Sequence, residues 1–186
     1  MVDMISTLPD EVLCHILSFL PTQISASTSI LSKRWTPLWL SVPTLYFDDK
    51  TYLLKYKPYH CFRNFINLTF LTRNLHLPIT TFHLQCEDSN FDVSDHDLKI
   101  WLNAAMQRGG LENLHIQLPD TVAILRLKSC IFTCKTLVVL KFFGLEVDEF
   151  SFVDLPSLKT LQLNDIAFPE PQYLVKLLSG CPNLED

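Results

Sequence analysis

Only 4 of the 186 residues are glycine. A loop that cradles phosphate on its backbone needs several glycines in a short run, so that kind of nucleotide site is excluded, as are collagen-like and linker-like chains. Charge is also thin. Charged residues make up 19% of the chain, against roughly 25% in an ordinary soluble domain. Positive charge is the scarcer sign, with 15 Lys and Arg against 20 Asp and Glu and a net charge of −5. A nucleic-acid binder normally carries a basic face, so no nucleic-acid partner is expected. No apolar run approaches the roughly 18 residues of a membrane span, so no membrane partner is expected either. Met1-Val2-Asp3-Met4 places an acid where a secretory signal needs a basic segment. The 6 cysteines are then expected as free thiols in a reducing compartment, the cytoplasm and/or nucleus.

What the chain does have is leucine, 33 residues of it, within an apolar content of 48%. The first 40 residues read as helices. Ser6-Thr7-Leu8-Pro9-Asp10-Glu11 is a strong helix start with acids in the first turn, and the helix is expected to run to about Leu20 and stop at Pro21. Val12, Ile16 and Phe19 form one stripe along it, and Leu13, Leu17 and Leu20 form its neighbour. Together they are wider than one buried face requires. Shorter helices fit Thr22 to about Ser29 and Ser32 to Leu40.

Beyond residue 41 the frame L-x-x-L-x-L recurs, with other apolar residues allowed at the L positions. It opens at Val42, Ile79, Leu111, Leu137 and Leu158, and once more at Leu184 where the sequence stops. The last spacings are 26, 21 and 26 residues, inside the period of leucine-rich repeats. The earlier ones, 37 and 32, leave room for helices over 60–75 and 95–108. A further helix fits 171–179.

Little in the chain is suited to catalysis. There is no Gly-x-Ser-x-Gly elbow. Asp95-His96-Asp97 is expected to cap a helix start, because adjacent helical residues point in different directions. Cys130 and Cys134 lack two further ligands at zinc spacing, and Cys134 and Cys181 share one position in the repeat, which favours small packed residues there. The expectation is a protein that is not an enzyme, with no catalytic residue, metal site or cofactor.

The opening residues closely resemble the F-box motif. The matching stretches are Ile5-Ser6-Thr7-Leu8-Pro9-Asp10-Glu11-Val12-Leu13, Ile16-Leu17-Ser18-Phe19-Leu20-Pro21-Thr22, and Thr28-Ser29-Ile30-Leu31-Ser32-Lys33-Arg34-Trp35 followed by Leu38-Trp39. The whole chain is similar to plant F-box/leucine-rich-repeat proteins of the kind that often end in an FBD domain. The resemblance implies an α/β fold: a small three-helix F-box over 3–47, then a right-handed α/β leucine-rich-repeat solenoid over 48–186. It also implies a substrate-recognition subunit of an SCF-type cullin-RING ubiquitin ligase, with the F-box docked on a Skp-type adaptor and the repeats recruiting a protein substrate. By the same resemblance Leu8, Pro9, Ile16, Leu17, Leu20, Pro21 and Leu31 would contact the adaptor, while Leu13 and Trp35 pack the core.

Two departures stand out. Gln23-Ile24-Ser25-Ala26-Ser27 replaces a commonly charged segment, so contacts open to a basic residue at that end are missing and weaker adaptor binding is expected. The frame at Leu184 is not completed, and the chain reads as truncated before any FBD domain. On each strand of the repeats, alternate residues would stand on an open sheet face. There His83, Gln85, His115, Gln117, Lys141, Phe143, Gln162 and Asn164 are the expected substrate contacts. The other reading is a solenoid binding module, or an inactive relic, that does not engage an adaptor.

Overall fold

The fold follows from the repeated frame. In the computed structural model, which describes residues 5–50, 59–87, 94–118, 126–127 and 129–185, each of the five complete frames becomes a strand that starts two residues in. These strands are β1 (Thr44–Asp48), β2 (Thr81–Gln85), β3 (Asn113–Gln117), β5 (Val139–Val147) and β6 (Thr160–Ala167). A two-residue strand, β4 (Arg126–Leu127), lies beside the far end of β5. All pairings are parallel, in the order β1-β2-β3-β5-β6. The frame is in register throughout: Leu45 pairs with Phe82, Phe82 with Leu114, Leu114 with Leu140, and Leu140 with Leu161. Period-two side chains leave no alternative, because a slip of one residue would turn every leucine outward.

The first frame residues are joined by a ladder of their own. The second-position carbonyls of Pro43, Thr80, Glu112 and Val138 each accept N–H groups from the next frame. Lys159 continues the series, accepting from Glu185 N–H at 2.8 Å, so the frame that opens at Leu184 already pairs as the others do.

Six α-helices are present among the described residues. They are α1 (Asp10–Ser18), α2 (Thr22–Ser27), α3 (Trp35–Ser41), α4 (Tyr59–Thr72), α5 (Asp95–Gln107) and α6 (Gln172–Ser179). The sequence places all six, with ends that move by a few residues. Ser94 caps α5 in a capping box with Asp97, which accounts for the Asp-His-Asp run as helix-start chemistry.

Two apolar clusters form. Leu13, Leu17, Trp35, Leu38 and Val42 make the smaller one. The larger lies between the sheet and its helices, centred on fully buried Phe47, Phe62, Phe82, Trp101, Leu114 and Phe142. Leu45 and Phe47 belong to the larger cluster, so β1 is part of the sheet although it falls inside the 3–47 span of the opening unit.

The period-two pattern breaks once. Gly144 and Asp165 both have positive φ, 69° and 52°, and stand opposite each other between the pairs Phe143–Asn164 and Leu145–Ile166. This shared kink shifts the inward phase of β5 from Leu140 and Phe142 to Leu145 and Val147. Near the end of the chain, Gly180 is fixed by close approach, since a Cβ there would lie 2.8 Å from the backbone oxygen of Val153.

Candidate functional site

Two surfaces stand out. The first is on the opening helices. The two stripes of α1 separate cleanly: Leu13 and Leu17 are buried in the small cluster, with Leu20 packed against it, while Val12, Ile16 and Phe19 are 43%, 44% and 75% exposed. Ile5, Ile24, Ile30 and Leu31 are exposed as well. Seven large apolar side chains exposed on so short a stretch make this a candidate interaction surface.

Of the expected docking residues, Ile16, Leu31 and Pro9 are exposed, and Leu8, Leu20 and Pro21 are half-buried. Leu17 is the correction. At 1% exposure it is sealed against its own helices, because Trp35 and Leu38 pack on the stripe it shares with Leu13. Val12, Phe19, Ile5, Ile24 and Ile30 were not among the expected contacts. The first two lie on the stripe whose spacing was legible, and nothing in the sequence says which stripe turns outward.

The two motif blocks hold each other in place. Arg34, from the Leu-Ser-Lys-Arg-Trp block, donates to the carboxylate of Asp10 and to the carbonyl of Leu8 at 2.6 Å. The segment 23–27, expected to weaken a partner contact, has a different use. Gln23 Nε2 donates to Asp48 O at 3.0 Å, and Tyr46 N–H donates to Thr22 Oγ1 at 2.8 Å. Helix α2 thereby covers the free edge of β1, whose outward groups would otherwise be an open template for pairing.

The second surface is the open sheet face. Rings stack across four strands: Tyr46 on His83 at 4.4 Å between centroids, His83 on His115 at 4.0 Å, and His115 on Phe143 at 5.4 Å. Both histidines are held neutral. Burial drives the pKa of His83 down to about 3, helped by His115 and Lys141, and burial with Lys141 lowers that of His115. Their Nε2 atoms are buried and accept or donate no hydrogen bond. Beside them is a small recess of about 190 Å³ lined by Thr81, His83, Asn113, His115, Val139 and Lys141. Gln85, Gln117, Phe143, Gln162 and Asn164 share the face, at the register positions the frame predicts.

A third feature is a cavity of about 590 Å³ between α4 and α5, walled by Phe70, Leu71, Leu75, Ile100 and Trp101. Its polar rim is engaged in structure. Asn67 accepts from Trp101 Nε1, Asp97 serves the cap of α5, and Arg108 donates to the carbonyls of Phe70 and Asn74. Among the described residues no group of three or more His, Cys, Asp or Glu could hold a metal ion, and no helix is long and apolar enough to cross a membrane. The 6 cysteines are free thiols, with Cys181 buried and Cys134 half-buried.

Comparison with known proteins finds matches in both parts of the chain. The family model of the F-box domain matches residues 5–45, and that of the Leucine Rich Repeat matches 157–182. Over 99% of its length the chain is 41% identical to a putative F-box/LRR-repeat protein of Arabidopsis thaliana, covering 36% of that protein. It is 40% identical to an FBD-associated F-box protein (44% of that protein covered) and 41% identical to another F-box/LRR-repeat protein (48% covered), both from the same plant and both matched over 99% of this chain. The chain thus spans between about a third and a half of these relatives. No solved structure matches it.

Proposed function

We propose that this chain, similar over 99% of its length to F-box/leucine-rich-repeat proteins, is a substrate-recognition subunit of an SCF-type cullin-RING ubiquitin ligase. The F-box unit (3–47, sharing β1 with the sheet) docks on a Skp-type adaptor. The region from 48 to 186 is a right-handed leucine-rich-repeat solenoid that recruits a protein substrate. The observation that carries this reading is the outward stripe Val12, Ile16 and Phe19, with Ile30 and Leu31 exposed as well, apolar surface left uncovered by the chain's own helices. Leu8, Pro9, Leu20 and Pro21 border that stripe in our proposal, and Leu17 supports it from inside.

The protein contributes no acid, base or nucleophile to the reaction. It brings a substrate lysine near a charged ubiquitin carrier, so that a bimolecular encounter becomes a local one. Cullin-ligase chemistry places it in the cytoplasm or nucleus.

The test is capture of a purified Skp-type adaptor by the full chain. Wild type is expected to bind. Ile16→Asp and Leu31→Asp, both at exposed positions and so compatible with folding, are expected to weaken binding by about 30-fold or more, as loss of a central anchor does. A wild-type chain with no measurable adaptor binding would favour the alternative of a binding module without a ligase role, and variants that bind as well as wild type would overturn the assigned docking surface. The feature that speaks for that alternative is the uncharged segment 23–27, whose Gln23 is spent on the edge of β1.

A further inference from the structure

We propose that the recess beside Lys141, His115, His83 and Asn113 receives a single acidic side chain, Asp or Glu, from an otherwise uncharged segment of a protein substrate. This rests on the reading of the open sheet face as the substrate face, and adds the chemistry that it selects.

Charge is the first argument. Lys141, near the middle, is the one cation in the five main strands, whose acids Asp48, Glu146 and Asp165 lie at the edge or at and beyond the kink. Asp48 accepts from the N–H of Lys50. Lys141 makes no hydrogen bond or ion pair with any described residue, so an ammonium group stands over a neutral aromatic floor with its counter-charge unfilled. One cation fits one carboxylate, whereas a polyanion would need a row of them.

Hydrogen bonding is the second. The Nε2 atoms of His83 and His115 are sealed within the ring stack, so the polar groups left to meet a ligand at the recess are the Lys141 ammonium and the Asn113 amide. Asn113 already spends one donor on Thr81 Oγ1 at 3.2 Å, which fixes its amide at the rim. A carboxylate brought to Lys141 offers acceptors to its ammonium and to the second N–H of the Asn113 amide.

Size is the third. About 190 Å³ falls below the roughly 300–1,000 Å³ of small-molecule sites. It accommodates a side chain rather than a cofactor or metabolite. The flanking Gln85, Gln117 and Gln162 are uncharged and suit a neutral polar backbone on either side.

The experiment is a titration of the full chain with N-acetyl-glutamate N-methylamide and, separately, its glutamine analogue, read by the imidazole resonances of His83 and His115. The glutamate compound is expected to shift both resonances saturably, with an affinity about three- to fivefold above the glutamine compound, the scale of one partly exposed ion pair. Lys141→Met, a half-buried surface change that leaves the ring stack in place, should erase the preference without altering the thermal midpoint. Equal shifts from the two compounds, or a preference that survives Lys141→Met, would overturn the inference. Adaptor capture by the same variant separates the two readings. In the wild-type chain, no acid preference with intact capture removes only this inference, and acid preference without capture removes only the ligase reading, whereas Lys141→Met is expected to lose the preference and keep capture.

Discussion

Two imidazoles stacked at 4.0 Å cannot both carry a proton without placing like charges face to face beside Lys141. Burial is the larger cause, and with it the pKa of each histidine is held below the ordinary value in the folded state. The unfolded chain has no such restraint, and its histidines take up protons near pH 6.5. Since His83 has its folded pKa depressed to about 3, the unfolded state binds more protons between those values. Stability is therefore full above about pH 6.5 and declines as pH falls toward 3. From pH 7 to pH 5 the His83 share of the loss is about 1–2 kcal/mol, measurable as a drop in urea midpoint. His83→Phe keeps the ring in the stack and should flatten that dependence. A wild-type midpoint that does not move between pH 7 and 5 would contradict the assignment. The same scale explains why Ile16 and Leu17, adjacent in sequence, part company: successive helical residues face directions about 100° apart, and Trp35 lies on only one of those sides.

At the scale of elements, helix α2 does for β1 what each strand does for the next. Tyr46 N–H and Asp48 C=O would be unpaired on the outer edge of the sheet, and Thr22 and Gln23 supply the missing partners. Thr22 is itself buried, so water does not readily replace its hydroxyl. Thr22→Val keeps the shape and removes the acceptor, and should cost about 1–3 kcal/mol, the price of an orphaned buried donor. Ser27→Ala, which removes an exposed hydroxyl bonded back to Gln23 O, is the matched control and should cost far less. Equal urea midpoints for the two variants would show that the edge is not held in this way.

The strands were legible because L-x-x-L-x-L carries period-two burial and its own register. The helices were legible from caps and from the room between frames. The kink at Gly144 and Asp165 was not, since it resets the alternation that makes a strand readable, and β5 and β6 run past it to Val147 and Ala167. Nor was β4, where two residues hold no period. On the opening unit the two stripes of α1 were equally apolar, and only the packing of Trp35 and Leu38 decides which one stays outside.

For the whole molecule, the helices and the sheet divide the work. The opening helices present uncovered apolar surface, and the in-register sheet presents a ring-lined face with Lys141 as the one cation of its five main strands. Arg73 joins the two parts. Buried at 3% exposure, it donates from Nη2 to Val42 O at 2.6 Å, where α3 gives way to the first frame, and so fixes how the two surfaces are presented together. The most direct measurement is backbone hydrogen exchange of the full chain, free and with a Skp-type adaptor bound. The account predicts slowed exchange confined to α1, residues 19–20 and residues 28–31, with the strands around His83, His115 and Lys141 unchanged. Exchange in α1 and 28–31 that stays at its free-chain rate while the adaptor is bound, or protection that falls on the sheet face instead, would contradict it.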